Sequence, residues 1–201
     1  MGLKNTEENF GSVAKWLHWV TAICFLVCFL VVWYRRYVAE FFSDAWHFSL
    51  NFHMMAGWTV LMLVVPRLIW RAKNPHPKDP PGSWWEHLGA RVGHWALYAM
   101  MIIMPITGYL GTHDPWNIYW LFEIPTFQDT IIWDKIFAGM FDLTWEQMEH
   151  TMDLVHKKIL GAWILWILIV IHVAAGFYHH FIKRDTTMIR MLPGTSAPEN
   201  D

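Results

Sequence analysis

The sequence predicts an all-α fold: a transmembrane four-helix bundle with both termini cytoplasmic and a long outer loop between helices 3 and 4. Three observations predict it. Four predominantly apolar stretches of about 20 residues, the length that crosses a bilayer, stand at 16–34, 51–70, 92–111 and 156–181. Charged residues make up 16% of the chain, against roughly 25% in a soluble domain, while 55% are hydrophobic and 15 of the 201 are Trp. Lys and Arg are divided unevenly, ten on the side of the termini and the loop between spans two and three, five on the other side. By the positive-inside rule that bias places both termini in the cytoplasm of a bacterial inner membrane. The whole chain, 1–201, reads as one integral-membrane domain.

Span one, WLHWVTAICFLVCFLVVWY, runs from Trp16 into the Arg35–Arg36 pair, with no cleavable signal peptide in view. Its two cysteines, Cys24 and Cys28, are four apart on one helix face, a poor geometry for a disulfide and a good one for small-residue packing. No CxxCH motif occurs, which excludes covalent c-type haem. Span two, NFHMMAGWTVLMLVVPRLIW, contains Pro66, and span three, VGHWALYAMMIIMPITGYLG, contains Pro105; both prolines predict bends. Between these spans, NPHPKDPPGS reads as a stiff turn. Trp16, Trp19, Trp33, Trp46, Trp70, Trp84 and Trp85 fall near predicted helix ends, where interfacial anchoring accounts for them.

The outer loop, 112–155, is acidic. It holds eight of the chain's 17 carboxylates against a single Lys, Lys135, and four Trp residues. A loop of this length with its own aromatics is either solvated padding or a docking surface. Thr144 with Gln147 reads as a capping box opening a helix that continues toward span four.

A net charge of −2 and the lack of a basic stripe exclude a nucleic-acid partner. Gly-rich phosphate loops, Gly-x-Ser-x-Gly and His-Glu-x-x-His are all missing, so the common soluble-enzyme chemistries lack their parts.

The histidines carry the functional signal. His18 lies in span one, His53 in span two, His94 in span three, and His156, His172, His179 and His180 in span four. Ionisable side chains inside a membrane are costly and default to function. Sorted by depth, His18 and His172 fall near the cytoplasmic face, and His53 and His156 near the outer face. The two layers are about 20–24 Å apart along span four. Each offers two imidazoles from different helices, the axial ligand set of a six-coordinate haem b in a helical bundle. Two axial His leave no open iron position, so such haems carry electrons. Gly57, one turn after His53, and Gly176, one turn after His172, either clear space for a porphyrin or allow close helix packing. Arg67 and Arg71 share a face at the cytoplasmic end of span two and either pair with haem propionates or act as positive-inside anchors. His94 is a candidate for hydrogen-bonding quinone or a propionate, or a satisfied core His. His179 and His180 read as interface or propionate contacts.

KWLHW, NFHMMAGWTVLMLVVPRLIWR, VGHWALYAMMIIMPITGYL and IHVAAGFYHHFIKRDTTMIRMLPG together resemble the bacterial cytochrome b561 family of four-helix dihaem membrane proteins. The HH, RD and RMLP elements of the last segment are the most specific. The resemblance covers about residues 12–194, with a diverged outer loop. It implies two haem b groups, ligated by His18 with His172 and by His53 with His156, and quinone as redox partner. An activity characterised in the family is superoxide:ubiquinone oxidoreductase. In that version Arg35, Arg36, Lys157 and Lys158 are candidates for steering the anion at the outer mouth.

One departure from the family stands out. The two ligands of span four in the family are about 14 residues apart, four full turns. Here His156 and His172 are 16 apart, a rotation of roughly 160° at about 100° per residue. A π-bulge near Gly161 absorbs the surplus, or His156 precedes the regular helix, or the outer haem has another ligand or is absent. Lys158 and His150 are the substitutes in reach.

The alternative function is a membrane-anchoring cytochrome b subunit of a larger respiratory or dehydrogenase complex, with a periplasmic protein docked on the acidic outer loop. A His-rich metal transporter finds thioethers at Met54, Met55, Met100, Met101 and Met104, but no carboxylate within the spans.

Overall fold

The structure is a computed structural model that describes residues 2–197. Among these residues four helices are long. Helix α1 covers Ser12–Tyr37 and ends on Arg35 and Arg36, cations that suit the negative end of a helix dipole. Helix α2 covers Asp44–Lys73, with Asp44 in its first turn and Arg71 and Lys73 in its last. Helix α3 covers Trp84–Leu110, and the Glu86 carboxylate accepts from the Ser83 amide at 2.7 Å and the Ser83 hydroxyl at 2.9 Å. Helix α4 covers Trp145–Lys183, 39 residues. Pro66 and Pro105 lie inside α2 and α3, neither of which is interrupted.

At about 1.5 Å per residue each of these helices exceeds the ~30 Å of a hydrocarbon core. Helices α1, α2 and α4 are both long and apolar enough to cross a membrane. The expected third span forms a helix of sufficient length, α3, which is not one of these three.

The expected loop at 112–155 is corrected by the structure, because most of it is folded. Strands β1 (Trp116–Ile118) and β2 (Phe122–Ile124) pair antiparallel, Trp116 opposite Ile124 and Ile118 opposite Phe122. A 3₁₀ turn follows at Phe127–Asp129 and a π-helical turn at Trp133–Ala138. Helix α4 then begins on the predicted capping box. The Thr144 hydroxyl accepts from the Gln147 amide at 3.3 Å, and the Gln147 side chain accepts from the Thr144 amide at 3.0 Å. Buried Phe127, Trp133 and Met148 form a small core here, with Tyr109, Phe137, Leu143 and Trp145 packed against it. The region is a packed cap, not solvated padding.

Helix α4 is α-helical at Trp145–Asp153, π-helical at Leu154–Ile164, α-helical at Leu165–Phe177 and π-helical again at Tyr178–Lys183. A short helix, α5, follows at Thr187–Met191.

The chain forms two compact units. One contains the chain up to Ala22, Met62–Ala99 and the described residues from Trp166 onward. Within it the segment after α5 is strapped to α1: the Lys15 ammonium donates to the carbonyls of Leu192 at 3.1 Å and Thr195 at 2.5 Å. Trp19 Nε1 donates to the Met191 carbonyl, and Asn9 and Ala197 exchange two hydrogen bonds. The other unit contains Ile23–Leu61 and Met100–Leu165, with Met55, Val60, Met100, Met101 and Leu165 buried along its helices.

Candidate haem site residues

Each unit holds one of the two histidine pairs that the sequence predicts. In the unit containing the N-terminal segment, His18 on α1 and His172 on α4 have ring centroids 6.1 Å apart, with the rings inclined at 48°. His94 on α3 stands edge-on to His172 at 5.5 Å. In the other unit, His53 on α2 and His156 on α4 are also 6.1 Å apart, nearly perpendicular at 86°. Two metal–imidazole bonds of about 2.0–2.1 Å on opposite sides of one ion put the ring centroids roughly 6 Å apart. Both pairs therefore have the spacing of a bis-imidazole metal site. Among the described residues no group of three or more His, Cys, Asp and Glu is placed to hold a metal ion.

The glycines beside the pairs test the fit of a flat macrocycle. A Cβ built on Gly57, Gly93 or Gly176 meets nothing within 4 Å. Tight protein packing does not explain these glycines; they border open space next to the imidazoles. Gly108 behaves differently. A Cβ there would come within 2.9 Å of His156 Cε1, so glycine at 108 is what admits the His156 ring.

The ring orientations in this second unit are fixed by bonds the sequence did not announce. The His53 Nδ1 is 3.4 Å from the Cys28 carbonyl, and the Cys28 thiol donates back to the His53 carbonyl at 3.8 Å. The His156 Nδ1 is 3.2 Å from the Thr107 hydroxyl. With Nδ1 occupied, Nε2 is the ring nitrogen left open, the arrangement of outer-sphere support around a metal-bound imidazole. Cys24 and Cys28 are free thiols.

The π-helical segment Leu154–Ile164 contains both His156 and Gly161. Its i→i+5 turns use more residues per rotation than α turns, and this is where the surplus residues of the 16-residue spacing are accommodated. Gly161 sits five residues after His156 at the tightest point, where a Cβ would lie 2.7 Å from the His156 carbonyl oxygen.

Arg67 reaches toward α1. One guanidinium nitrogen donates to the Leu17 carbonyl at 2.9 Å and lies 3.4 Å from the Thr21 hydroxyl, and the group sits 5.4 Å from the Tyr98 ring. Its Nε is buried without a partner, a donor that an anionic group would satisfy. Arg71 lies 5.6 Å from the Trp95 ring. His179 bonds Asp185 at 2.5 Å, and His180 packs edge-on to Phe181. Of the candidate steering cations, Arg35 is stacked 3.6 Å over Trp46 and Lys157 is paired with Asp153 at 2.6 Å.

The sequence model of one family, described as prokaryotic cytochrome b561, matches residues 9–194. The chain is 31% identical to "Cytochrome b561 homolog 2" of Escherichia coli (strain K12), over 98% of each chain. It is 24% identical to "Probable superoxide oxidase CybB" of Yersinia pestis, over 93% of this chain and 97% of that protein. "Cytochrome b561 homolog 1" of Escherichia coli (strain K12) is 25% identical, over 92% of this chain and 98% of that protein.

Proposed function

Because the chain belongs to the prokaryotic cytochrome b561 family, in which b-type haem and transmembrane electron transfer are the shared properties, we propose that it passes electrons through two b-type haems between a periplasmic donor and membrane quinone. The observation that carries this reading is the pair of imidazole couples, each 6.1 Å between ring centroids. Bound haem supplies a one-electron carrier at each couple.

The protein residues have separable roles. His18 with His172, and His53 with His156, would hold the two haems. The Cys28 carbonyl and the Thr107 hydroxyl hold His53 and His156 in their ligating tautomers. Gly57 and Gly176 keep the ligand faces clear. Arg67, through its unpartnered Nε, and Arg71 receive propionates, and His94 hydrogen-bonds a propionate or quinone on the same side. In this reading α1, α2, α3 and α4 all cross a bacterial inner membrane and both termini are cytoplasmic. The similarity to a protein named a superoxide oxidase makes superoxide the first donor to test.

A second reading rests on the packed cap. Its own core of Phe127, Trp133 and Met148 gives it a fixed shape, and its carboxylates suit a basic partner. The chain would then be the membrane cytochrome of a larger complex. A stoichiometric partner copurifying from native membranes favours this reading; a lone chain that reduces quinone with superoxide excludes it.

The haem reading is tested by a pyridine haemochrome assay on detergent-purified protein. Two haem b per chain are expected, falling to one in His53→Ala and one in His18→Ala. A folded preparation, made with haem available and containing none, overturns it.

A further inference from the structure

We propose that the β1–β2 hairpin is seated in the bilayer, in the leaflet at the Asp44 end of α2, with Trp120, Leu121 and Phe122 against lipid acyl chains. The acidic character of the 112–155 region predicts a water-exposed loop, and the hairpin is the part that departs from it.

The argument starts from where the hairpin is tied. The Asn117 amide donates to the Asn51 side chain at 2.7 Å. Further along, the Tyr119 amide donates to the Met55 sulfur at 3.2 Å, and the Tyr119 and Thr59 hydroxyls meet at 2.5 Å. Trp120 lies 6.1 Å from Phe48 and 5.8 Å from Phe52, ring to ring. The hairpin therefore lies along α2, a helix long and apolar enough to cross a membrane. The apolar run of α2 begins at Asn51. Met55 and Thr59 come four and eight residues later, about 6 and 12 Å into the run at 1.5 Å per residue. Tyr119 is thus fixed within the apolar run, and Trp120, against Phe48 and Phe52, at its edge, the level of the headgroup–acyl boundary.

The polarity of the hairpin is uneven along its length. Its one charged residue, Glu123, pairs with Asn117 at the Asn51 level. Beyond it Trp120, Leu121 and Phe122 are 60%, 72% and 65% exposed. Three consecutive large apolar side chains on the tip of a β-turn are a liability in water and an anchor in the headgroup–acyl boundary, where Trp and Tyr concentrate.

Much of the hairpin backbone also meets the condition that lipid imposes. Irregular chain at membrane depth needs its amides and carbonyls satisfied within the protein. Here the strands pair with each other, the Leu121 amide donates to the Ile118 carbonyl at 2.8 Å, and the Tyr119 amide is taken by the Met55 sulfur. Tyr119 and Trp120 occupy the left-handed region, φ 47° and 58°. That is a type I′ turn, which favours Asn-Gly. Two bulky aromatics hold it because their side chains are fastened to α2.

The test uses the full chain in nanodiscs of phosphatidylethanolamine and phosphatidylglycerol, with the photoreactive residue p-benzoylphenylalanine at one position at a time. Leu26→p-benzoylphenylalanine, on an exposed face of α1, is the lipid control, and Asp142→p-benzoylphenylalanine, on the cap, is the water control. The expected result is that Leu121→p-benzoylphenylalanine gives covalent lipid adducts by intact mass at the level of position 26, roughly tenfold above position 142. Phe122→p-benzoylphenylalanine repeats the measurement should the first variant fold poorly. Adduct levels at 121 and 122 equal to those at 142, or adducts joining two protein chains in place of lipid, overturn the proposal.

Discussion

Gly108 stands where any side chain would press on His156: a Cβ built there falls 2.9 Å from the imidazole Cε1. A glycine on α3 thus determines whether an imidazole on α4 can turn toward His53. Gly108→Ala should displace the His156 ring and leave the His18–His172 couple untouched. The expected outcome is a preparation that drops from two haem b per chain toward one, with the remaining haem still dependent on His172. Haem quantitation of the single variant and of the Gly108→Ala, His172→Ala pair checks it.

Thr107 should act on the same ring without crowding it. Its hydroxyl is one partner of the His156 ring, beside a hydrogen bond with the Met104 backbone, and Thr107→Val keeps the shape while removing the Thr107 bond. Loss of such an outer-sphere partner typically costs 10–100-fold in metal-site affinity. Haem release from Thr107→Val at the His53–His156 couple should accelerate by about that range, followed spectrally with an apoprotein haem acceptor. Equal release rates from Thr107→Val and the parent would remove Thr107 from the positioning role.

Arg67 ties α2 to the backbone of α1 one residue before His18. Hydrogen bonds to charged groups contribute about 1.5–3 kcal/mol, and Arg67→Met should lower the thermal midpoint in detergent accordingly. Arg67→Lys keeps the charge but removes the planar guanidinium and its buried Nε donor. If Arg67 also receives a propionate, the midpoint potential of one haem falls in Arg67→Met and falls less in Arg67→Lys, which keeps the charge, and a redox titration reads this independently of stability.

Asp185 lies beyond the fourth apolar run. Burial raises its carboxyl, but hydrogen bonds from His179 and the Thr187 amide outweigh burial and hold it below its ordinary value. A carboxyl lowered on folding stabilises the native state above the ordinary carboxylate range, and that contribution is lost as pH falls through the lowered value. Protection of the 185–191 amides, taken relative to the intrinsic exchange rate at each pH, should therefore fall on acidification below the usual Asp range. Asp185→Asn should show the faster exchange already at neutral pH.

The capping box at the start of α4 predicts a local effect. Thr144→Ala removes the side-chain acceptor for the Gln147 amide and should cost about 1 kcal/mol. Fraying is expected to be confined to the turn around Trp145, read by exchange of the 145–150 amides.

What could be read from the sequence followed physical cost. Four imidazoles in apolar runs are expensive, so His18, His53, His156 and His172 stood out, and depth sorted them into the couples the structure brings together. The π-helical segment was legible as arithmetic, because 16 residues do not close on whole α turns and Gly161 marked the weak point. The Thr144–Gln147 cap was legible because its two side chains bond reciprocally at fixed spacing. The Cys28 carbonyl was not legible, since a backbone acceptor has no residue signature. Thr107 was masked because a Thr in an apolar helix ordinarily bonds back to its own turn, as Thr107 also does to Ile103. The hairpin was hidden by its turn: Tyr119 and Trp120 occupy positions where Asn and Gly would have announced it.

Lys15 carries a consequence for how the chain is made. It is 3% exposed, and the carbonyls that receive its ammonium belong to residues 177 and 180 positions later. During synthesis α1 reaches the membrane long before Leu192 and Thr195 exist. Until then the first helix has a cation at its base with only water or headgroup phosphates to satisfy it, which holds that end at the surface and opposes slippage of α1 through the bilayer. Arrival of the 187–197 segment exchanges those solvent partners for protein carbonyls. The same side chain thus has solvent partners in the nascent helix and is a latch in the finished protein, closing after His172 has been delivered.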